Sequence, residues 1–209
     1  MKVLIGIDDT DNKESRGTGF LSRQMGKQIS DTKLGFVEGI TRHQLFVHKD
    51  IPYTSQNSSA CLLVETEKID LLTSFCRNFL LENAALGSDV GLCVANFNIV
   101  SKRVCDWGKS AKNTVLSMQA AMNMAAEEQI FLEGLTGTNI GVIGALAGVG
   151  LRKDGNDGRF IWLMGKEIRD MNGIMKASEI LSFSGINKIE CLNGTSPEPN
   201  DYILLGDWV

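Results

Sequence analysis

Four glycines, Gly137, Gly141, Gly144 and Gly148, recur at steps of four, three and four in the run from Thr136 to Gly150, which lays them along one face of a helix over 139–150. A glycine inside a helix costs about 1 kcal/mol relative to alanine. Such a face therefore needs a compensating contact: very close packing against a strand, or approach of bare backbone to a ligand at the helix start. Close packing accounts for Gly141 to Gly148. It leaves out the preceding Thr136-Gly137-Thr138-Asn139, whose composition is that of an anion-binding helix start. The run is too short to span a bilayer, which excludes a membrane dimer face.

Around this run, strands and helices alternate, so the fold class is α/β or α+β. The apolar patterning predicts strands at 2–7, 34–41, 59–65, 90–97, 130–135 and 160–164, with short ones near 187–192 and 202–206. It predicts helices over 18–30, 68–84, 111–128 and 178–183. The polar, turn-rich stretch Ile51–Ser59 is too long for a hairpin turn, and loops of that kind often carry function. No fixed-period repeat is visible, which argues against a solenoid. The 209 residues suit one domain, or two small interlocked ones.

Composition narrows the classes further. With 43% hydrophobic and 22% charged residues the chain has enough apolar matter for a packed core, and disorder is excluded. Twenty-one Lys and Arg against 25 Asp and Glu leave a net charge of −4. That balance supplies no basic face for a polyanion and argues against tRNA binding. No apolar segment approaches a membrane span, and Asp8-Asp9 cuts the N-terminal apolar run too early for a signal peptide. The start reads as the first strand of a cytoplasmic protein. Five cysteines with no C-x-x-C pair read as reduced core thiols.

Chemistry concentrates in two places besides the glycine run. Asp8, Asp9 and Asp11 follow the first strand at once, and three carboxylates in four positions repel one another unless a cation sits among them. Mg²⁺ is the hard cation typically held by one or two carboxylates plus substrate phosphates. An exposed acidic turn is the plain alternative. Next, Arg16-Gly17-Thr18-Gly19 opens the first helix, where glycines and free N–H groups suit a phosphate. Thr18 can serve as the N-cap, or its hydroxyl can meet a phosphoryl group held over the aspartates. Trp107-Gly108-Lys109-Ser110 ends like a P-loop, but Arg103 stands where that motif needs glycine, and no strand leads into it. His43 and His48 lack ligand spacing and read as surface or core histidines. No nucleophile elbow is present.

The order of these motifs is similar to that of the archaeal tRNA-isoleucine 2-agmatinylcytidine synthetases. The resemblance rests on Ile5-Gly6-Ile7-Asp8-Asp9-Thr10-Asp11 followed by Arg16-Gly17-Thr18, on Ile51-Pro52-Tyr53 leading to Ala60–Glu65, and on the run 137–148. It implies a kinase-like catalytic domain (1–58 with 98–209) interleaved with a ferredoxin-like domain (59–97). It also implies ATP cleavage with Mg²⁺ at Asp8, Asp9 and Asp11, and a phosphate-accepting Thr18. The family's OB-fold and zinc ribbon are expected to have no counterpart in these 209 residues.

The expected function is therefore a Mg²⁺-dependent, ATP-using phosphotransferase or ATP-dependent ligase acting on a small-molecule substrate. Arg16, Gly17, Gly137, Thr138 and Asn139 would bind the nucleotide, and Asp8, Asp9, Asp11 and Thr18 would carry the chemistry. The alternatives are a catalytically degenerate nucleotide-binding module and a tRNA-modifying enzyme that takes its RNA grip from a partner. The sequence leaves the oligomeric state open.

Overall fold

The first strand, β1 (Lys2–Asp8), sets the architecture, because its alternate side chains enter two different cores. Val3, Ile5 and Ile7 join one cluster and Leu4 the other. The computed structural model describes residues 1–54, 56–183, 185–191 and 193–206. After β1 come α1 (Thr18–Asp31), β2 (Phe36–Gln44), β3 (Ser58–Glu65), α2 (Ile69–Asn83), β4 (Gly91–Asn96) and α3 (Lys102–Ser110). They are followed by α4 (Met118–Glu127), β5 (Phe131–Gly134), α5 (Val142–Asp154), β6 (Arg159–Leu163), β7 (Lys166–Glu167), β8 (Gly173–Lys176), α6 (Ala177–Leu181) and β9 (Tyr202–Leu205).

The fold is mixed α/β. One seven-stranded sheet runs in the order β5-β4-β1-β3-β2-β6-β7, and its pairings are antiparallel. The strands β8 and β9 form a separate antiparallel ribbon. Residues of α1 and α2 pack on one face over Ile5, Leu62 and Leu92; residues of α3, α4 and α5 pack on the other over Leu4, Cys61 and Cys93. Covered on both faces, β1, β3 and β4 read as nearly unbroken apolar runs. All five cysteines are free thiols, four of them buried.

The glycine face does what the spacing requires. Helix α5 crosses β1 so closely that a Cβ on Gly6 would fall 2.0 Å from the Ala145 carbonyl oxygen. Gly144 faces Asp8 and Gly148 faces Ser59. The helix nevertheless starts later than expected, at Val142, and runs on to Asp154. Gly137 (φ 57°) and Asn139 (φ 65°) are left-handed, and a right-handed helix cannot pass through them.

Two other expectations are corrected. The helix expected over 111–128 is α4 alone, because 111–117 is a connection that ends where the Ser117 hydroxyl caps α4 by accepting the Ala120 N–H at 3.3 Å. Val115, assigned to the helical stripe, is exposed. The real helix before it, α3, buries Val104, Cys105 and Trp107 and carries the rejected P-loop look-alike at its end. Residues 187–191 form no strand, and Leu192 lies outside the described residues. The β8 strand was not foreseen.

Candidate active site

One cleft of about 500 Å³ opens where β1 ends, between the start of α1 on one layer and the start of α5 on the other. Asp8, Asp9 and Asp11 line it with Arg16, Gly17 and Thr18. The stretch expected to be a functional loop, Ile51–Ser59, of which Ser55 lies outside the described residues, contributes Ile51, Pro52, Tyr53, Thr54, Gln56, Asn57 and Ser58, and Thr54 donates to the Asp11 carbonyl at 3.3 Å. A further wall comes from Ala111, Thr114, Val115 and Leu116 in the α3–α4 connection. These last residues carry no polar motif, so nothing in the sequence marked them.

The aspartates are held apart in role by their surroundings. Asp8 accepts the Asp9 N–H at 2.9 Å. Burial pushes the Asp8 carboxyl up to about 7, and the charges of Asp9 and Asp11 push the same way. Burial likewise raises Asp9 to about 6, with added repulsion from Asp89 and Asp11. Asp9 sits at φ 52°, a left-handed conformation that a short polar side chain tolerates. The first turn of α5 backs Asp8: a Cβ on Gly144 would fall 1.6 Å from its Oδ2. Only glycine leaves space there for the carboxylate.

Thr18 is not the N-cap. Gly17 holds that position without a side-chain cap, and Thr18 is the first helical residue. Asp11 does the capping from seven residues upstream, accepting the Thr18 N–H at 3.3 Å and its hydroxyl at 2.9 Å. The same Thr18 oxygen accepts the Thr10 hydroxyl at 3.1 Å and the Thr10 N–H at 3.4 Å. Thr10, fully enclosed beneath the cleft, is a site residue that sequence reasoning passed over. Arg16 is exposed and stacks on the Phe20 ring at 3.8 Å.

Gly137, Thr138 and Asn139 lie outside the cleft lining, which takes Ile140, Gly141, Ile143 and Gly144 from that segment. An internal anion already sits on them: the Asp89 carboxylate accepts the Thr138 N–H. The anion-binding composition of this turn is thus used by a protein carboxylate. The Asp89 backbone carbonyl also accepts the Gly141 N–H at 2.9 Å, and its carboxylate lies close enough to Asp9 to raise that neighbour's pKa. Asp89 thus sets the glycine turn beside the acidic floor, and it was missed because a lone Asp after Ser88 carries no spacing signal.

Among the described residues no three His, Cys, Asp or Glu side chains form a ready-made metal cage. The donor set still suits Mg²⁺, which needs only one or two carboxylates when phosphates complete its shell. Asp8 and Asp9, raised by burial and by repulsion from neighbouring carboxylates, are the oxygens a cation would relieve.

The chain matches no protein-family model. An uncharacterised protein of Methanocaldococcus jannaschii is 30% identical over 153 residues, covering 72% of this chain and 50% of that protein. Among solved structures, a tRNA fluorescent labelling enzyme aligns with a TM-score of 0.64 at 26% identity, over 72% of this chain and 36% of its own. TiaS, an agmatidine synthetase of an isoleucine tRNA, aligns at 25% identity both as the apo form and as its complex with that tRNA and ATP. The TM-scores are 0.63 and 0.64, over 72% of this chain and 35% and 36% of TiaS. The chain thus resembles part of TiaS, spanning about half the curated relative and about a third of the solved structures.

Proposed function

We propose that the chain is the catalytic part of a Mg²⁺-dependent, ATP-using phosphotransferase or ligase, with the nucleotide in the cleft at the end of β1. The observation that carries this reading is the cleft floor, where the half-buried Asp8 and Asp9 face the same space as the Thr18 hydroxyl. The solved TiaS complex with ATP supports the choice of nucleotide. Asp8 and Asp9 would hold Mg²⁺, which when bound neutralises the charge of a transferring phosphoryl group. Asp11 orients the Thr18 hydroxyl, with Thr10 behind it. Gly17 leaves the approach to α1 open. Positioning and charge neutralisation dominate phosphoryl transfer, so no separate general base is required.

The final acceptor is a small molecule in the same cleft, whose lining includes Tyr53, Thr114 and Leu116. A second reading, modification of tRNA with a partner supplying the RNA grip, is favoured by the tRNA complex of TiaS. Labelled ATP distinguishes the two: hydrolysis or transfer with a small acceptor alone supports the first, and turnover only with tRNA supports the second. Absence of ATP binding at millimolar Mg–ATP would defeat both. Phosphate on the Thr18 peptide, read by mass spectrometry, would show that this hydroxyl takes a phosphoryl group before the small molecule does.

A further inference from the structure

The α3–α4 wall of the cleft is tied to the sheet by a polar chain, buried at His43 and Thr41 and exposed at Lys112, that the proposed chemistry does not use. Lys112, beside the cleft residue Ala111, pairs with the Asp157 carboxylate. The other oxygen of Asp157 meets His43 Nδ1 at 2.9 Å, and His43 Nε2 meets the Thr41 hydroxyl at 2.8 Å. His43 is wholly enclosed and Thr41 nearly so. Gly158, at φ 96°, lets the backbone close over the ring: a Cβ there would fall 2.7 Å from His43 Cε1. Between Thr41 and His43 on β2 stands Arg42, which lines the cleft.

Proton counting shows which form of His43 closes the chain. With His43 neutral, Nδ1–H donates to Asp157 and the Thr41 hydroxyl donates to Nε2, so each partner is satisfied. Protonation would turn Nε2 into a donor and drive the Thr41 proton toward the Cys61 carbonyl, 3.3 Å away. It would also place a second cation beside the Asp157 carboxylate, which Lys112 from the α3–α4 connection already faces, and set that charge against Arg152 from α5, which faces His43. Burial and these two cations lower the His43 pKa, while Asp157 opposes them.

We infer that Asp157 and His43 are positioning residues of the cleft, holding its 111–117 wall against β2 through Lys112. The clip works without touching the ligand. For its affinity readout the inference rests on the nucleotide reading above; its ligand-free readout does not.

The test uses the full chain and the variants Asp157→Asn, Asp157→Glu and His43→Gln. In the ligand-free protein, amide hydrogen exchange of 111–117 is expected to quicken about tenfold in Asp157→Asn, the weight of one charged hydrogen bond, while β1, β3 and β4 stay protected. Asp157→Glu should restore part of that protection. Mg–ATP affinity at pH 7.5 should fall about tenfold in Asp157→Asn and by a smaller factor in His43→Gln, whose amide keeps only part of the ring's hydrogen bonding. As pH falls below 6.5, into the range to which burial and the neighbouring cations lower His43, the wild type should lose more affinity than His43→Gln. Asp8 and Asp9 titrate equally in both proteins and cancel in that difference. Unchanged exchange at 111–117 in Asp157→Asn overturns the clip whether or not nucleotide binds. Identical pH profiles for wild type and His43→Gln overturn the role of His43. If Mg–ATP fails to bind any variant, the nucleotide reading fails and the exchange data alone decide the clip.

Discussion

At Thr18 one hydroxyl serves two neighbours at once, giving its proton to Asp11 and accepting that of Thr10. Thr18→Ser keeps both bonds and should leave stability unchanged. Thr18→Ala should cost about 1–2 kcal/mol, because it strands the enclosed Thr10 hydroxyl and removes a bond to a charged group. Denaturant titration measures that cost. ATP turnover per folded molecule then separates the roles: an anchor only would leave turnover intact, an acceptor would lose it. Asp9→Asn makes the opposite pair of demands. Asparagine suits the left-handed φ of 52° and removes one of the repelling charges, so apo stability should hold or rise. Mg²⁺-dependent ATP consumption should vanish; full activity would remove Asp9 from the metal site. Asp8, Asp9 and Asp11 were legible because charge clustering after an apolar strand is a local signal. Thr10 was not, since its part depends on a helix that begins eight residues later.

Helix α5 shows how a repeated residue can have different purposes along one element. Gly144→Ala would drive a Cβ to 1.6 Å from Asp8 Oδ2, so the helix or the carboxylate must shift. A loss of roughly 1–3 kcal/mol is expected, together with weaker Mg–ATP binding. At Gly148 the obstacle is the Ser59 hydroxyl, 2.9 Å away and held by no hydrogen bond. There the helix gain of about 1 kcal/mol offsets the contact, and Gly148→Ala should be near neutral. Parallel thermal melts of the two variants test the contrast, and equal losses would refute it. The spacing of glycines announced a close approach but not what was approached. The connection 111–117 was misread for a related reason: Val115 and Met118 fit a helical period, and periodicity alone does not reveal that Ser117 breaks in as a cap.

For the molecule as a whole, buried titrating groups work with opposite sign. Asp8 and Asp9 hold their protons up to about 7 and about 6 in the folded chain, against 3.8 for an ordinary aspartate. The folded state therefore binds more protons than the unfolded, and stability falls as pH rises from about 4 to 7. His43, lowered from 6.5, binds fewer protons when folded, so its share of stability is lost as pH falls below that value. Melting profiles should show Asp8→Asn reducing the neutral-side loss to the share of Asp9 and His43→Gln reducing the acid-side loss; profiles parallel to wild type would refute both assignments. Mg–ATP at a hundredfold excess over its Kd should add about 2.7 kcal/mol, or roughly 5–10 °C in Tm. What the sequence determined by itself was local: the strand and helix periods, the α/β class, the acidic turn after β1 and the glycine face, each written within a few turns of chain. The tertiary structure decided which partner each group meets. Asp89 fills the turn assigned to phosphate, Asp11 caps a helix seven residues on, and Asp157 joins the cleft wall to β2 across more than a hundred residues. Hydrogen-bond and charge partners distant in sequence leave no period in it, because the sheet order that brings them together is set by burying two cores at once.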